Sequence, residues 1–354
     1  MASLRAARTA GRKNLNLPLL RRAIATLAAA RARAGLFGIA AVILLVLPFV
    51  VPNQYWVHVL TIGVVFAILA ASWDLLYGVA GILSFGHAAF FGLGAYAATL
   101  VNLRWGVNPW IGLVVGGFVS GLLGIVFSAA SVRLKGTYLA LSTLALAQTL
   151  QVMAISFPEI TRGTLGLSGY DGLPGLDFIG PSYYYAALVL AGAVVVGLYC
   201  LSRFTRIGLA WRAMRNDPTR ASTVGIAVAW NRMVVFVLAA FIAGVAGAMY
   251  ADYIGVMSPA EMDASITANV IAMAVIGGPG TLVGPAAAGL VIEVLNEQLR
   301  GLGGAYTGVA VGGVIILFVM FIPGGFVELF QRAVAAVSRP RLTIGEDVGA
   351  PTNG

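Results

Sequence analysis

The sequence predicts an all-α polytopic membrane protein with about nine to ten transmembrane helices and one broken or re-entrant stretch rich in glycine and proline. Three observations predict it. Of the 354 residues, 60% are hydrophobic and only 10% are charged, where a soluble domain carries about 25% charge. The charges are also clustered: no Asp, Glu, Lys or Arg occurs in 34–73, 75–103, 105–132, 136–158, 178–202, 233–251, 264–292 or 301–327. Each window exceeds the roughly 18 apolar residues that mark a spanning helix. Finally, whole windows are apolar, whereas barrel strands alternate apolar and polar residues.

The elements follow in order. Residues 1–35 form a basic extension with Arg5, Arg8, Arg12, Lys13, Arg21, Arg22, Arg31 and Arg33. The apolar run that follows, Ala34 to Val51, is too long for the core of a cleaved signal peptide. No small-residue cleavage site follows it in VVPNQYWVH. A retained span is therefore expected. VVPNQYWVH is a polar, proline-bearing turn, and it divides the first window into spans 36–52 and 56–77. Further spans are expected at 83–103, 107–132, 137–157, 182–201 and 233–254. Region 266–299 carries Gly277-Gly278-Pro279-Gly280 at its middle. Proline removes a backbone donor and glycine weakens a helix, so this region reads as two short spans, a re-entrant pair, or a plain interhelical turn. A last span is expected at 305–322. The tail, 328–354, reads as cytosolic and partly disordered.

Charge orients the chain. With the N-terminus in the cytosol, the inside segments 1–35, 133–136, 202–232 and 323–354 hold 19 of the 22 Lys and Arg residues. Only Arg104, Arg162 and Arg300 fall outside. The net charge of +9 is thus an orientation signal, and nucleic-acid binding is not expected.

Catalytic chemistry is sparse. The single cysteine, Cys200, excludes an internal disulfide and is expected to be a small buried residue. His58 and His87 lie in different spans with no thiolate or carboxylate at ligand spacing, so no metal site is expected. There is no GxSxG elbow. Neither Lys13 nor Lys135 sits in GxxxxGK[ST], so ATP binding through a P-loop is not expected in this chain. Apart from Asp74, Asp252 and Glu293, all near span ends, the spans offer few acids. A self-sufficient channel or secondary transporter and a membrane-embedded enzyme remain the alternative readings.

Two stretches carry more information. In LSFGHAAFFGLGAYAA, residues 83–98, Ser84, Ala88, Gly92, Ala95 and Thr99 form one column of small residues at helical spacing. Such columns let helix backbones approach closely in lipid; Ala88, Gly92 and Ala95 are the expected packing positions. His87 either lines a path or fixes a helix by hydrogen bonding. Tyr96 faces a path or a neighbour, and Asp74 caps a helix or bridges to a partner. In the inside loop 202–232, Asp217-Pro218 is a strong helix start and Gly225 a helix end. A short helix over Pro218 to Val224 is expected, after a cationic amphipathic segment, Ile207 to Arg215. The loop suits either a membrane surface or a groove on a cytosolic partner.

WDLLYGVAGILSFGHAAFFGLGAYAA resembles the signature of permeases of branched-chain amino-acid ABC importers, the LivM/LivH group. Gly78, Gly81, Ser84, Gly86, His87, Phe90, Gly92, Gly94, Ala95 and Tyr96 carry the likeness. RLKGTYLALSTLALA, through Gly136, Tyr138, Leu141 and Thr143, resembles a second family segment. RIGLAWRAMRNDPTRASTVGI resembles the family's coupling loop through Gly208, Arg212, Ala213, Arg215, Ala221, Gly225 and Ile226. VIGGPGTLVGPAAAG is similar to its glycine-rich stretch near the end. The likeness covers about residues 36–327, and the long basic extension suits the LivM type. Asp217-Pro218 departs from many relatives, which lack the proline.

The resemblance implies an ABC importer permease fold over 36–327 in a bacterial inner membrane, with both termini cytosolic. It implies a LivH-like second permease subunit, two cytosolic ATPase subunits that hold ATP and Mg, an extracytoplasmic substrate-binding protein and membrane lipids as partners. It makes Ser84, His87, Tyr96, Tyr138 and Thr143 candidates for the translocation path. Arg212, Arg215, Asp217, Pro218, Ala221 and Gly225 become candidates for coupling to the ATPases.

Overall fold

The computed structural model describes residues 42–50, 53–134, 136–170, 172–176 and 180–300, with isolated positions between 312 and 325. The basic extension, most of the span expected at 305–322 and the tail lie outside the described residues. The chain divides into two compact units, Asn53–Gln331 and a second one of Met1–Pro52 with Arg332–Gly354. In the second, residues 42–50 are helical.

The larger unit is a helical bundle. Its helices are α1 (Gln54–Asp74), α2 (His87–Trp105), α3 (Pro109–Arg133), α4 (Thr137–Ser156), the single turn α5 (Pro158–Thr161), α6 (Ser182–Phe204), α7 (Arg206–Asn216), α8 (Pro218–Thr223), α9 (Val228–Ile254), α10 (Ala264–Gly277) and α11 (Val283–Arg300). Among the described residues, five helices are long and apolar enough to cross a membrane: α1 with its π-helical extension Leu75–Val79, α3 from Pro109 to Ala129, α4, α6 and α9. The sequence boundaries hold to within a few residues for α1, α3, α4 and α6. The span expected at 83–103 begins its helix only at His87, and α9 starts five residues before the expected 233.

Local chemistry explains the ends. Asn53 caps α1 by accepting from the Tyr55 amide at 3.0 Å. Asn108 does the same for α3, accepting from Trp110 at 3.0 Å. Thr205 caps α7 through the Gly208 amide at 3.1 Å, and Asp263 caps α10 through Ser265 at 2.8 Å. Each satisfies donors that a helix N-terminus leaves open.

Helix α1 is the centre: 94% of its apolar window is buried, against 22% for α6. It packs against α11, α6, α9 and α10, while α9 packs against α3 and α2. The α2–α9 contact is close enough that a Cβ on Gly94 would overlap the backbone of Gly244. Without a hydrophobic drive between helices in lipid, backbone proximity of this kind supplies the packing energy. The peripheral position of α6 corrects one expectation: Cys200 is exposed, because this helix turns an apolar face outward.

One feature was not legible in the sequence. Leu167–Ser168 pairs antiparallel with Val256–Met257. Leu167 and Met257 join Tyr96, Ala154, Tyr170, Ala251 and Met262 in a buried cluster over one end of the bundle. The Tyr170 hydroxyl ties the ribbon down by donating to the Ala251 carbonyl at 2.7 Å.

Candidate functional site

The glycine–proline region resolves into α10 and α11 with a break over 278–282. Helix α10 has 14 residues, or about 21 Å at 1.5 Å per residue, short of a hydrocarbon core of about 30 Å. A break between two apolar helices leaves amides without intrahelical acceptors, and these need partners. Asp74, at the end of α1 and fully buried, provides them. Its Oδ1 accepts from the Gly280 amide at 2.7 Å and its Oδ2 from the Leu282 amide at 2.9 Å. Within this chain Asp74 thus acts as a cap, holding the amides that lead into α11 from a segment remote in sequence.

A second contact lies four residues on. After Asp74 the helix widens into the π turn Leu75–Val79. The Gly78 carbonyl, at the C-terminal end where helix carbonyls lack partners, accepts from a guanidinium nitrogen of Arg215. A cation at a helix C-terminus also meets the negative end of the helix dipole. One short segment of α1 thus joins the break to the loop 202–232.

That loop folds largely as the residues predicted. Helix α7 is amphipathic and buries Gly208, Trp211 and Met214. The helix packs against α6, α8, the π turn and α9, so these three residues are covered by the chain itself. Asp217 caps α8, accepting from Thr219 at 2.8 Å and Arg220 at 3.1 Å. Pro218 occupies the first position, where its missing donor costs nothing. Ala221 is buried against the bundle at 3% exposure. Gly225 ends the turn with φ of +87°, a conformation that costs a residue with a Cβ about 1–2 kcal/mol. Arg212 is half-buried, whereas Pro218, Thr219, Arg220, Ser222, Thr223 and Val224 are exposed. The six-residue helix therefore presents a free outer face.

The candidate path residues fall into two groups. Ser84, His87, Tyr96 and Thr143 are buried, and three of them hold the junction of α1, α2 and α4. The Ser84 carbonyl accepts from Trp73 Nε1 at 2.8 Å and its hydroxyl accepts from the Gly86 amide at 3.2 Å. Thr143 Oγ1 accepts from the Phe85 amide at 3.0 Å and donates to the Ala140 carbonyl at 2.8 Å. His87 Nε2 lies 3.1 Å from Ser72 Oγ. Tyr138, in contrast, is 75% exposed at the start of α4. The packing residues Ala88, Gly92 and Ala95 are all buried. Sequence reasoning missed Thr267, whose hydroxyl accepts from the Ala88 amide at 2.9 Å, and Ser120, which donates to the Phe90 carbonyl at 2.7 Å. Their signal was available: a hydroxyl within an apolar span is kept where it finds a partner.

At the opposite end of α1, Tyr55, His58, Val59, Ile62, Glu293, Glu297 and Arg300 line a cleft of about 140 Å³. Arg300 pairs with Glu297 at 3.1 Å, Tyr55 donates to Glu297, and His58 Nδ1 is 2.9 Å from the Tyr253 hydroxyl. Among the described residues no group of histidine, cysteine, aspartate and glutamate is arranged to hold a metal ion.

Residues 55–322 match the family described as the permease component of branched-chain amino acid transport systems. The chain belongs to this family. The permease is 28% identical over 312 residues to the high-affinity branched-chain amino acid permease protein LivM of Salmonella typhimurium, covering 80% of this chain and 72% of that one. LivM of Escherichia coli is 27% identical over the same shares. LivH of Salmonella typhimurium is 24% identical, covering 75% of the permease and 92% of LivH. The match spans the junction, the capped loop and the break, so these are parts of a multi-pass transport component, as the resemblance implied.

Proposed function

We propose that the chain is the transmembrane permease subunit of an ATP-driven importer for branched-chain or chemically related amino acids, forming half of the translocation path. The single observation that carries this reading is the family match over the whole bundle, and the capped helix α8, with its exposed outer face, supports it. In this reading α8 docks on a cytosolic ATPase, which binds ATP with Mg. A LivH-like second permease completes the path, a substrate-binding protein delivers the amino acid from outside, and lipids surround the rest. The chain lies in a bacterial inner membrane with α7 and α8, and both termini, in the cytosol. Its chemistry is that of a conduit: Ser84, His87, Tyr96 and Thr143 brace the path from within the bundle, and Tyr138 stands on a face open to it.

The test is uptake of leucine into liposomes. The chain reconstituted with its second permease, ATPases and binding protein is expected to accumulate leucine only with ATP inside the cytosolic compartment. Accumulation by the chain alone, driven by an ion gradient, would establish a secondary transporter instead.

A further inference from the structure

Helices α7 and α8 are joined through the single residue Asp217, whose amide donates to the Ala213 carbonyl at 3.2 Å and whose carbonyl accepts from the Ala221 amide at 2.9 Å. Trp211 and Met214 anchor α7 in the bundle. Any displacement of α8 therefore loads the last turn of α7, which carries Arg215. Arg215 is otherwise exposed; its guanidinium donates to the Gly78 carbonyl and lies beside Gly280, while its stem rests on Gly81. Asp74, one turn earlier on the same helix, holds the amides of Gly280 and Leu282. The break is in turn covalently continuous with α10 and α11, and α11 runs along the central helix α1. The polar contacts form a continuous line from the exposed helix to the broken pair. Its tertiary links, Arg215 to the Gly78 carbonyl and Asp74 to the Gly280 and Leu282 amides, are directional hydrogen bonds between a side chain and a backbone group, and helix backbone joins them; such bonds transmit displacement where greasy packing would slide.

We infer that Arg215 and Asp74 are positioning residues that pass movement of α8 to the 278–282 break, so that α10 and α11 move with the docking helix. This rests on the proposed function for its use in transport, but the physical link is independent of it. Neither residue touches the substrate. Their task is to make two segments of the chain, more than 50 residues apart in sequence, respond as one.

The experiment has two readouts. The first is hydrogen exchange on the purified chain in detergent, which needs no ATPase. Arg215→Gln is expected to speed exchange at the amides of 278–284 by about tenfold, a coupling of ordinary size, while 87–105 is unchanged. Asp74→Asn is expected to speed exchange at the same amides. Unchanged exchange at 278–284 in both variants overturns the link. The second readout is leucine uptake per ATP hydrolysed in the reconstituted complex. Arg215→Gln is expected to keep hydrolysis and lose about tenfold in uptake per ATP, with Arg215→Lys restoring part of it. Parallel loss of hydrolysis and uptake at normal complex yield overturns the role in transmission. Wild-type complex without ATP-dependent uptake would sink the proposed function, and the exchange result would still decide the link. Should Arg215→Gln not accumulate, Arg215→Lys against Asp74→Asn carries both measurements.

Discussion

Asp74 and Leu282 stand 208 residues apart in sequence, yet the Asp74 carboxyl oxygen receives the Leu282 amide at 2.9 Å. The companion oxygen receives Gly280 at 2.7 Å. A side chain from the central helix thereby does the work that a helix backbone would do for itself had Gly278-Pro279-Gly280 not interrupted it. Asp74→Ala leaves the buried Leu282 amide and the more accessible Gly280 amide without their acceptor. The buried orphaned donor costs about 1–3 kcal/mol, so the variant is expected to lose thermal stability in detergent. Asp74→Asn keeps one carbonyl oxygen and should lose less. Equal melting of wild type and Asp74→Ala would remove the cap from the account.

Helix α8 has only six residues, too few to stand without a cap. Asp217 supplies two acceptor contacts and a side-chain pair with Arg220 at 3.1 Å. Arg220 is 89% exposed, so that pair adds little. Asp217→Ala is expected to cost about 1 kcal/mol of helix stability and to reduce leucine uptake by the reconstituted complex. Asp217→Ser should recover most of it, because a hydroxyl also caps. If Asp217→Ser behaves like Asp217→Ala, the cap is not what Asp217 contributes.

Where α2 crosses α9, Gly94 and Gly244 meet backbone to backbone. Gly94→Ala is expected to push the helices apart at about 1–3 kcal/mol and to lower the yield of folded chain from membranes. Gly192→Ala, on the outward-facing α6 with nothing within 4 Å, serves as the control. There alanine should be neutral or favourable, since glycine weakens a helix interior by about 1 kcal/mol. Matching yields for the two variants would show that the α2–α9 approach is not a packing constraint.

Much of this was legible from residues. Charge-free windows located α1, α3, α4 and α6 because burying a charge in lipid is expensive, and evolution of such a chain writes the spans as gaps. Asp217-Pro218 located α8 because capping is a local interaction. The partner of Asp74 was not legible, since it lies in a segment remote in sequence and the contact is to backbone amides, which leave no trace in side-chain identity. Cys200 was misplaced for a related reason. In an apolar run, inward and lipid-facing positions have the same composition, so periodicity carries no signal about which way a residue points. The small column over 84–99 is buried, and the backbone-to-backbone approach to Gly244 is made by Gly94, which lies off that column.

Thr143 tests how the candidate path residues divide between path and scaffold. Its hydroxyl is saturated by the chain itself, accepting from Phe85 and donating to Ala140, and the residue is fully buried. Thr143→Val preserves the shape and removes the acceptor, leaving the Phe85 amide open at the turn that precedes α2. The expected result is a loss of about 1–3 kcal/mol in stability, seen as a lower melting temperature, with Thr143→Ser close to wild type. Transport by whatever Thr143→Val complex folds should show an unchanged KM for leucine, because the hydroxyl's donor and an acceptor site are already taken by the chain itself. A raised KM at normal stability would move Thr143 from the scaffold to the wall of the path. Tyr138→Phe offers the opposite pattern: its ring is exposed, so removing the hydroxyl should leave melting unchanged and act, if anywhere, on transport.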